Sequence, residues 1–145
     1  MSADLYQELL VDHGKRPRNF GPLPEADRAA EGVNPLCGDE LSVRLKLSSG
    51  RIARIAFQGE GCAIALASAS LMTLAVGGRR PEEASRLAEE VAALVAGGAA
   101  DPDRLGELIA LSGVARFPVR RKCALLAWRA LEAALRGAAS PVTTE

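Results

Sequence analysis

ELSVRLKLSSGRIARIAFQGEGCAIALASASLMTLAVGG, residues 40–78, contains two kinds of hydrophobic pattern in succession. Residues 40–47 alternate apolar and polar side chains, which is typical of a strand with one buried face. After the turn residues SSGR, residues 51–57 alternate again, less regularly, so the two segments predict a β-hairpin. The segment from Cys62 to Val76 is almost entirely small or apolar, which is typical of a helix buried on all sides.

Helical patterns flank this stretch on both sides. Asp101 followed by Pro102 is typical of a helix start. We expect an extended segment at 115–122, because Pro118 disfavours helix in the residue before it. Further helices are expected at 3–13, 81–97, 101–113 and 123–137. The sequence therefore predicts an α+β fold, in which a small antiparallel sheet of about three strands carries helices on one face.

The composition limits the function classes. A chain of 145 residues is expected to form one domain with one core. Basic and acidic residues number 18 each and only 3% of residues are aromatic, so we expect neither nucleic acid nor a membrane surface as a partner. No apolar run is long enough to span a bilayer, and the N-terminal MSADLYQELL lacks a basic leader. We therefore expect a cytoplasmic protein with a frayed tail at 138–145.

The three cysteines lie at loops or at predicted helix starts, where an inert core thiol is not expected. An odd number of cysteines without a secretion signal argues against a disulfide framework, which leaves buried thiol, reactive thiol or metal ligand. Cys62 follows the residues GEG at the start of a helix, where a thiolate is stabilised. Cys123 is expected to begin a helix directly after three cations, which would lower its pKa. Cys37 lies in a glycine- and proline-bounded loop beside Asp39.

Three thiolates and one carboxylate form a tetrahedral donor set that zinc accepts, although an iron–sulfur cluster also takes mostly thiolate ligands. Such a set leaves negative charge around a divalent ion, and the basic residues Arg120, Arg121 and Lys122 are candidates to offset it. The single histidine, His13, ends the first predicted helix, and a capping or surface role is expected for it. A cysteine hydrolase would need a histidine base beside its thiol, so that class is not favoured.

The motifs NPLCGD at 34–39, FQGEGCAIALASASLMT at 57–73 and RFPVRRKCALLAWRALEAAL at 116–135 occur in this order. Together they resemble the U-type iron–sulfur cluster scaffold family, which includes IscU and SufU. The resemblance extends over most of the chain, from the first helix and its DHGKRPRNFG loop at 12–21 to the last helix. It implies a single U-type domain over 1–145 with a SufE/NifU-like arrangement of sheet and helices.

Within this family the sequence is more similar to the SufU branch. IscU-type proteins have a histidine before the third cysteine, where this chain has Lys122, and they have a leucine-proline-proline-valine-lysine segment where this chain has RFPVRRK. The interval before Cys123 is also long, which the resemblance implies is a SufU-type insertion at about 79–113. The resemblance implies a zinc ion held by Cys37, Asp39, Cys62 and Cys123, and a SufS-type cysteine desulfurase as partner.

Cys37 is the expected sulfur acceptor, because its loop can move whereas Cys62 and Cys123 are expected on helices. The family resemblance points to the same residue. Sulfur would then pass to a downstream iron–sulfur scaffold or to apo-proteins. Two alternatives remain: a scaffold that assembles a [2Fe–2S] cluster, and a domain whose zinc is purely structural.

Overall fold

The structure, a computed structural model, describes residues 3–137 and 141–144. In these residues the strands are β1 (Arg28–Asn34), β2 (Asp39–Ser48), β3 (Arg51–Glu60) and β4 (Val142–Thr143). The helices are α1 (Ala3–Lys15), α2 (Ala63–Val76), α3 (Pro81–Val95), the one-turn α4 (Pro102–Leu105), a 3₁₀ helix (Gly106–Arg116) and α5 (Pro118–Arg136). The α+β prediction is confirmed.

The sheet has the strand order β3-β2-β1-β4, and it is mixed rather than purely antiparallel. β1, β2 and β3 pair antiparallel, as expected, whereas β4 pairs parallel to β1. β4 lies in the tail that was expected to be frayed; Val142 and Thr143 pair with Gly32 and Val33. The remaining tail residues, 138–140 and 145, lie outside the described residues.

The predicted hairpin is β2–β3, and its turn is formed by Ser49 and Gly50, which both have positive φ. Such a turn matches the right-handed twist of the flanking strands. Lys46 pairs with Arg54 and Leu47 pairs with Ile52, so one extra residue bulges from β3 at this point. The bulge explains why the hydrophobic alternation of 51–57 is less regular than that of 40–47.

One face of the sheet is buried under α5, which packs on β1 and β2, and under α2. Leu41, Val43 and Leu45 of β2 point into this core, where they are at most 2% exposed. Trp128 of α5 is fully buried in the same core. The helices thus cover one face of the sheet, as predicted, and the loops at one end of the sheet lie beside the first turns of α2 and α5.

α2 is the buried central helix that its apolar composition predicted, and its few polar side chains join it to its neighbours. Ser68 Oγ donates to the carbonyl of Ala124 at 2.6 Å and accepts from Trp128 Nε1 at 3.1 Å, which ties α2 to α5. Ser70 and Thr73 bond to the loop that follows α1. Because buried polar groups need partners, these bonds fix the position of α2 in the core.

The start of α5 is the main difference from the predicted secondary structure. The segment 115–122 was expected to be extended and Cys123 to begin the helix, but α5 begins at Pro118. Proline disfavours helix only in the residue before it and is itself well suited to the first helical position. Cys123 therefore lies in the second turn of α5.

None of the helices in the described part of the chain has the length and apolar character that crossing a bilayer requires.

Candidate metal centre

Cys37 lies in the tight turn between β1 and β2, as the loop prediction implied. Its backbone N–H donates to the carbonyl of Asn34 at 3.2 Å, and Gly38 beside it has φ +72°, a left-handed conformation that favours glycine. The Cys37 side chain is half-buried, and the neighbouring Leu36 is 61% exposed. The turn thus presents one thiol near the surface at the end of the sheet.

Asp39 is the first residue of β2 and is fully buried. Its Oδ1 accepts the backbone N–H of Cys62 at 2.9 Å, and its Oδ2 accepts from Asn34 Nδ2 at 3.2 Å. Gly61 leaves room for this carboxylate, since a Cβ there would lie 3.1 Å from Asp39 Oδ1. Each carboxylate oxygen still has a lone pair that can face a cation.

Cys62 is the N-cap residue of α2, as its position after GEG predicted. Its Sγ accepts from the backbone N–H of Ala65 at 3.5 Å. The sulfur of Cys62 thus lies where the unpaired N–H groups and the positive end of the α2 dipole are.

Cys123 is fully buried, and its Sγ lies 3.4 Å from the Sγ of Cys37. Burial raises the pKa of the Cys123 thiol, and the adjacent Asp39, Cys37 and Cys62 raise it further. The expectation that a helix N-terminus and three cations lower this pKa is therefore wrong, because α5 begins five residues earlier and carries Cys123 into the core. A bound cation would reverse the balance, since a thiol that coordinates a metal loses its proton.

The three basic residues before Cys123 point in different directions along α5. Arg120 is exposed and faces the sulfurs: the charge on Cys62 first, and Cys123 less, raises the pKa of Arg120. Arg121 instead donates Nε to the carbonyl of Ala115 at 2.7 Å, which holds the end of the 3₁₀ helix. Lys122 lines a groove between α5 and β4. Of the three, Arg120 is the residue placed to offset negative charge at the site.

The ligand atoms of Cys37, Asp39 and Cys123 all lie within 4.8 Å of one another. The three residues come from the β1–β2 turn, from β2 and from α5, and their ligand atoms are close enough together to hold one metal ion. Cys62 is not part of this tightest set, but its N–H binds Asp39 and its thiol acts on both Cys123 and Arg120. The structure thus brings three of the four predicted ligands together and places the fourth beside them.

The donor types of this cluster fit zinc. Thiolate sulfur and carboxylate oxygen are both common zinc ligands, and a Zn–S bond of about 2.3 Å in a tetrahedron separates two sulfurs by about 3.8 Å. The 3.4 Å between the sulfurs of Cys37 and Cys123 is close to that separation.

The family model for the NifU-like N-terminal domain matches residues 5–137. The chain belongs to this family. It is 43% identical over 137 residues to the iron–sulfur cluster assembly scaffold protein IscU of Streptococcus pyogenes, covering 94% of this chain and 86% of that protein. It is 40% identical over 129 residues to the zinc-dependent sulfurtransferase SufU of Bacillus subtilis, covering 88% of this chain and 87% of that protein. The chain is thus a member of the iron–sulfur cluster assembly scaffold family of IscU and SufU, as its motifs indicated.

A solved structure supports the same assignment. The putative iron–sulfur cluster assembly scaffold protein for the SUF system from Fervidobacterium islandicum superposes with a TM-score of 0.84 at 32% identity, covering 93% of this chain and 99% of that one. The arrangement of one small sheet and its helices is therefore that of the family.

The burial of two residues, His13 and Asn34, was not predicted from the sequence. His13 is only 2% exposed, and its Nδ1 lies 2.7 Å from Ser70 Oγ, so its expected role in capping or at the surface is wrong. Ser70, one of three polar residues in the apolar helix α2, was the available signal for such a partner. Asn34 is fully buried beside Asp39 and Cys123. The available signal was its position at the end of a strand, directly before the Pro35 turn.

Proposed function

We propose that this protein accepts sulfur from a SufS-type cysteine desulfurase at Cys37, with zinc held by Cys37, Asp39, Cys62 and Cys123. The observation that carries the proposal is the position of Cys37: its sulfur lies 3.4 Å from a buried sulfur, yet its own side chain is half-buried on a turn. Cys37 is therefore accessible to a partner on a turn, whereas Asp39 and Cys123 are fully buried. Cys62 is half-buried as well, but it is fixed at the N-cap of α2.

The tight grouping of ligand atoms supports a single ion. Three ligand atoms within 4.8 Å of one another can surround one cation. A [2Fe–2S] cluster distributes its four protein ligands over two irons, which spreads them farther apart. When bound, zinc would keep the thiolates deprotonated at neutral pH without redox chemistry of its own.

The transfer step is an exchange at sulfur. The Cys37 thiolate attacks the terminal sulfur of the desulfurase persulfide, so that a new S–S bond forms at Cys37 while the S–S bond of the donor breaks. The electron pair of the broken bond stays on the desulfurase cysteine, which leaves as a thiolate. One disulfide-type bond replaces another, so no external oxidant or reductant is needed.

Exposed apolar side chains lie next to Cys37 in the chain and at the start of α5, the helix that carries Cys123. Leu36, Phe117 and Val119 are each more than half exposed. The exposed Arg120 adds a positive charge to the first turn of α5. Exposed apolar side chains together with a cation favour a partner surface that is apolar and carries an acidic side chain.

Assembly of a [2Fe–2S] cluster for delivery to apo-proteins is the second candidate function. The 43% identity to a protein named as an IscU scaffold favours it. The donor set of three cysteines and one aspartate would also accept iron.

Desulfurase turnover separates these functions. We expect wild-type protein to stimulate alanine release by a SufS-type desulfurase, Cys37→Ala to give no stimulation, and the control Lys122→Ala to behave as wild type. Stimulation by Cys37→Ala equal to that of wild type would rule out sulfur acceptance at this residue.

Metal analysis of protein purified without added metal gives a second criterion. Sulfur transfer predicts one zinc and a colourless protein, whereas a scaffold predicts iron and a brown colour.

A further inference from the structure

Asn34, at the end of β1, contacts three of the four residues proposed to hold the metal. Its carbonyl accepts the N–H of Cys37 at 3.2 Å. Its side-chain Nδ2 donates to Asp39 Oδ2 at 3.2 Å and lies 3.6 Å from Cys123 Sγ, within reach of an N–H···S bond. The residue is fully buried, so water does not compete for these contacts.

The chemistry of its neighbours determines the orientation of the Asn34 amide. The amide nitrogen carries two hydrogens, and both the carboxylate of Asp39 and the sulfur of Cys123 accept hydrogen bonds. In the opposite orientation Oδ1 would face a carboxylate oxygen, which is repulsive. In the orientation observed, Oδ1 is buried without a hydrogen-bond partner among the described residues. Burying Oδ1 without a partner costs free energy. The two contacts of Nδ2 offset that cost.

We propose that Asn34 is a positioning residue of the metal centre, which holds Asp39 and Cys123 as anionic ligands by donating one hydrogen to each. The inference rests on the proposed function only in so far as that function requires a bound metal. The carboxylate of Asp39 is then fixed at both oxygens, by Cys62 N–H on one and by Asn34 on the other. Hydrogen bonds of this kind orient metal ligands and strengthen the site.

The contacts of Asn34 also differ among the three residues that it touches. Asp39 and Cys123 each receive a side-chain donor from Asn34, whereas Cys37 is held by Asn34 only through its backbone. Asn34 therefore restrains the side chains of Asp39 and Cys123 but not that of Cys37. Cys62, which Asn34 does not contact, is held instead at the N-cap of α2.

Zinc affinity tests the proposal without a desulfurase. Competition with a chromophoric chelator measures the zinc Kd of wild type, Asn34→Ala and Asn34→Asp. We expect Asn34→Ala to weaken binding about 10- to 100-fold, as loss of a residue that orients a ligand does elsewhere. Asn34→Asp, which places a carboxylate against Asp39, should weaken it further. The control is Asn19→Gly, which removes an amide bonded to Thr73 at a position with φ +58° that glycine tolerates.

Cobalt(II) spectra and NMR complete the test. A merely structural role for Asn34 would leave the ligand-field bands of the cobalt-substituted protein in place, whereas we expect them to shift in Asn34→Ala. In ¹⁵N-labelled wild type, the Asn34 side-chain amide protons should shift and exchange more slowly when zinc is added. Because this measurement uses the wild-type protein, it tests the role of Asn34 even if the variants do not fold.

The outcomes separate the two proposals. If Asn34→Ala binds zinc with the wild-type Kd, or the wild-type amide protons do not respond to zinc, the role of Asn34 is wrong while the metal centre stands. If wild-type protein binds no zinc, the zinc-dependent function itself is wrong.

Discussion

The sulfur atoms of Cys37 and Cys123 lie 3.4 Å apart, although 86 positions separate the two residues in the chain. Cys37 belongs to a turn of the sheet and Cys123 to the second turn of α5, and both thiols are free. The packing of α5 on β1 and β2 therefore brings these two cysteines together from distant parts of the chain.

This proximity predicts which disulfide forms on oxidation. Mild oxidation of metal-free protein with diamide should link Cys37 to Cys123 before either residue pairs with Cys62, because thiol–disulfide exchange depends on the access and approach of the two sulfurs. Peptide mapping after alkylation measures the pairing. Zinc should slow the reaction strongly, and a first product that contains Cys62 would contradict the arrangement of the site.

Arg120 and Lys122 form a matched pair for testing electrostatics at the metal centre. Only Arg120 faces the sulfurs, so Arg120→Ala should weaken zinc binding about three- to tenfold at low salt, while Lys122→Ala should leave the Kd unchanged. Chelator competition at low and high salt measures both variants. The deficit of Arg120→Ala should shrink as salt rises; equal effects of the two substitutions would contradict the assignment.

His13 makes stability depend on pH in a predictable direction. Burial, and less strongly the charge of Arg18, lower the pKa of His13 below its usual 6.5. The unfolded chain therefore binds the proton more readily, so stability is highest above about pH 6.5 and is lost as the pH falls toward the lower pKa of the folded state. Ser70 Oγ accepts the N–H of Arg18, which leaves its own hydrogen for Nδ1 of the neutral imidazole.

Urea unfolding between pH 5.5 and 7.5, in the presence of a chelator, measures this dependence. We expect His13→Gln to be less stable than wild type at pH 7.5, because the bond to Ser70 is lost, but to show a flatter dependence on pH. An unchanged slope would mean that another group is responsible.

The backbone conformation of β3 requires glycine at position 59, shortly before Cys62. Its φ is +139°, and a Cβ there would lie 2.0 Å from the carbonyl oxygen of Glu40. Gly59→Ala should therefore lower the free energy of unfolding by about 3 kcal/mol or more. The control Gly113→Ala, where a Cβ would meet nothing within 4 Å, should change it by less than about 0.5 kcal/mol. Chemical denaturation of both variants provides the measurement.

The elements with strong local patterns could be predicted from the sequence. The hairpin β2–β3 and the helix α2 follow from hydrophobic periodicity, and the cap of α2 follows from the residues GEGC. The start of α5 could not be placed correctly, because Pro118 is compatible both with an extended segment and with the first position of a helix. β4 has only two residues, too few for any periodicity, and its pairing depends on the tertiary position of β1.

The candidate ligands were identifiable because cysteine and aspartate have distinctive chemistry. The directions of Arg120, Arg121 and Lys122 were not, since three adjacent positions on a helix point to different sides and the helix boundary was misplaced. The burial of His13 and Asn34 likewise depends on the packing of distant elements, which local patterns do not encode.

At both edges of the sheet, short segments of the same chain bond to the outer long strands, β3 and β1. The backbone of Phe57 on β3 bonds to Asn19 and Gly21, and β4 pairs with β1 just before the Cys37 turn. Another polypeptide can add a strand at these places only after displacing one of the segments. A shortened C-terminus would uncover the backbone of Gly32 and Val33, and self-association through cross-chain strand pairing would be the expected result.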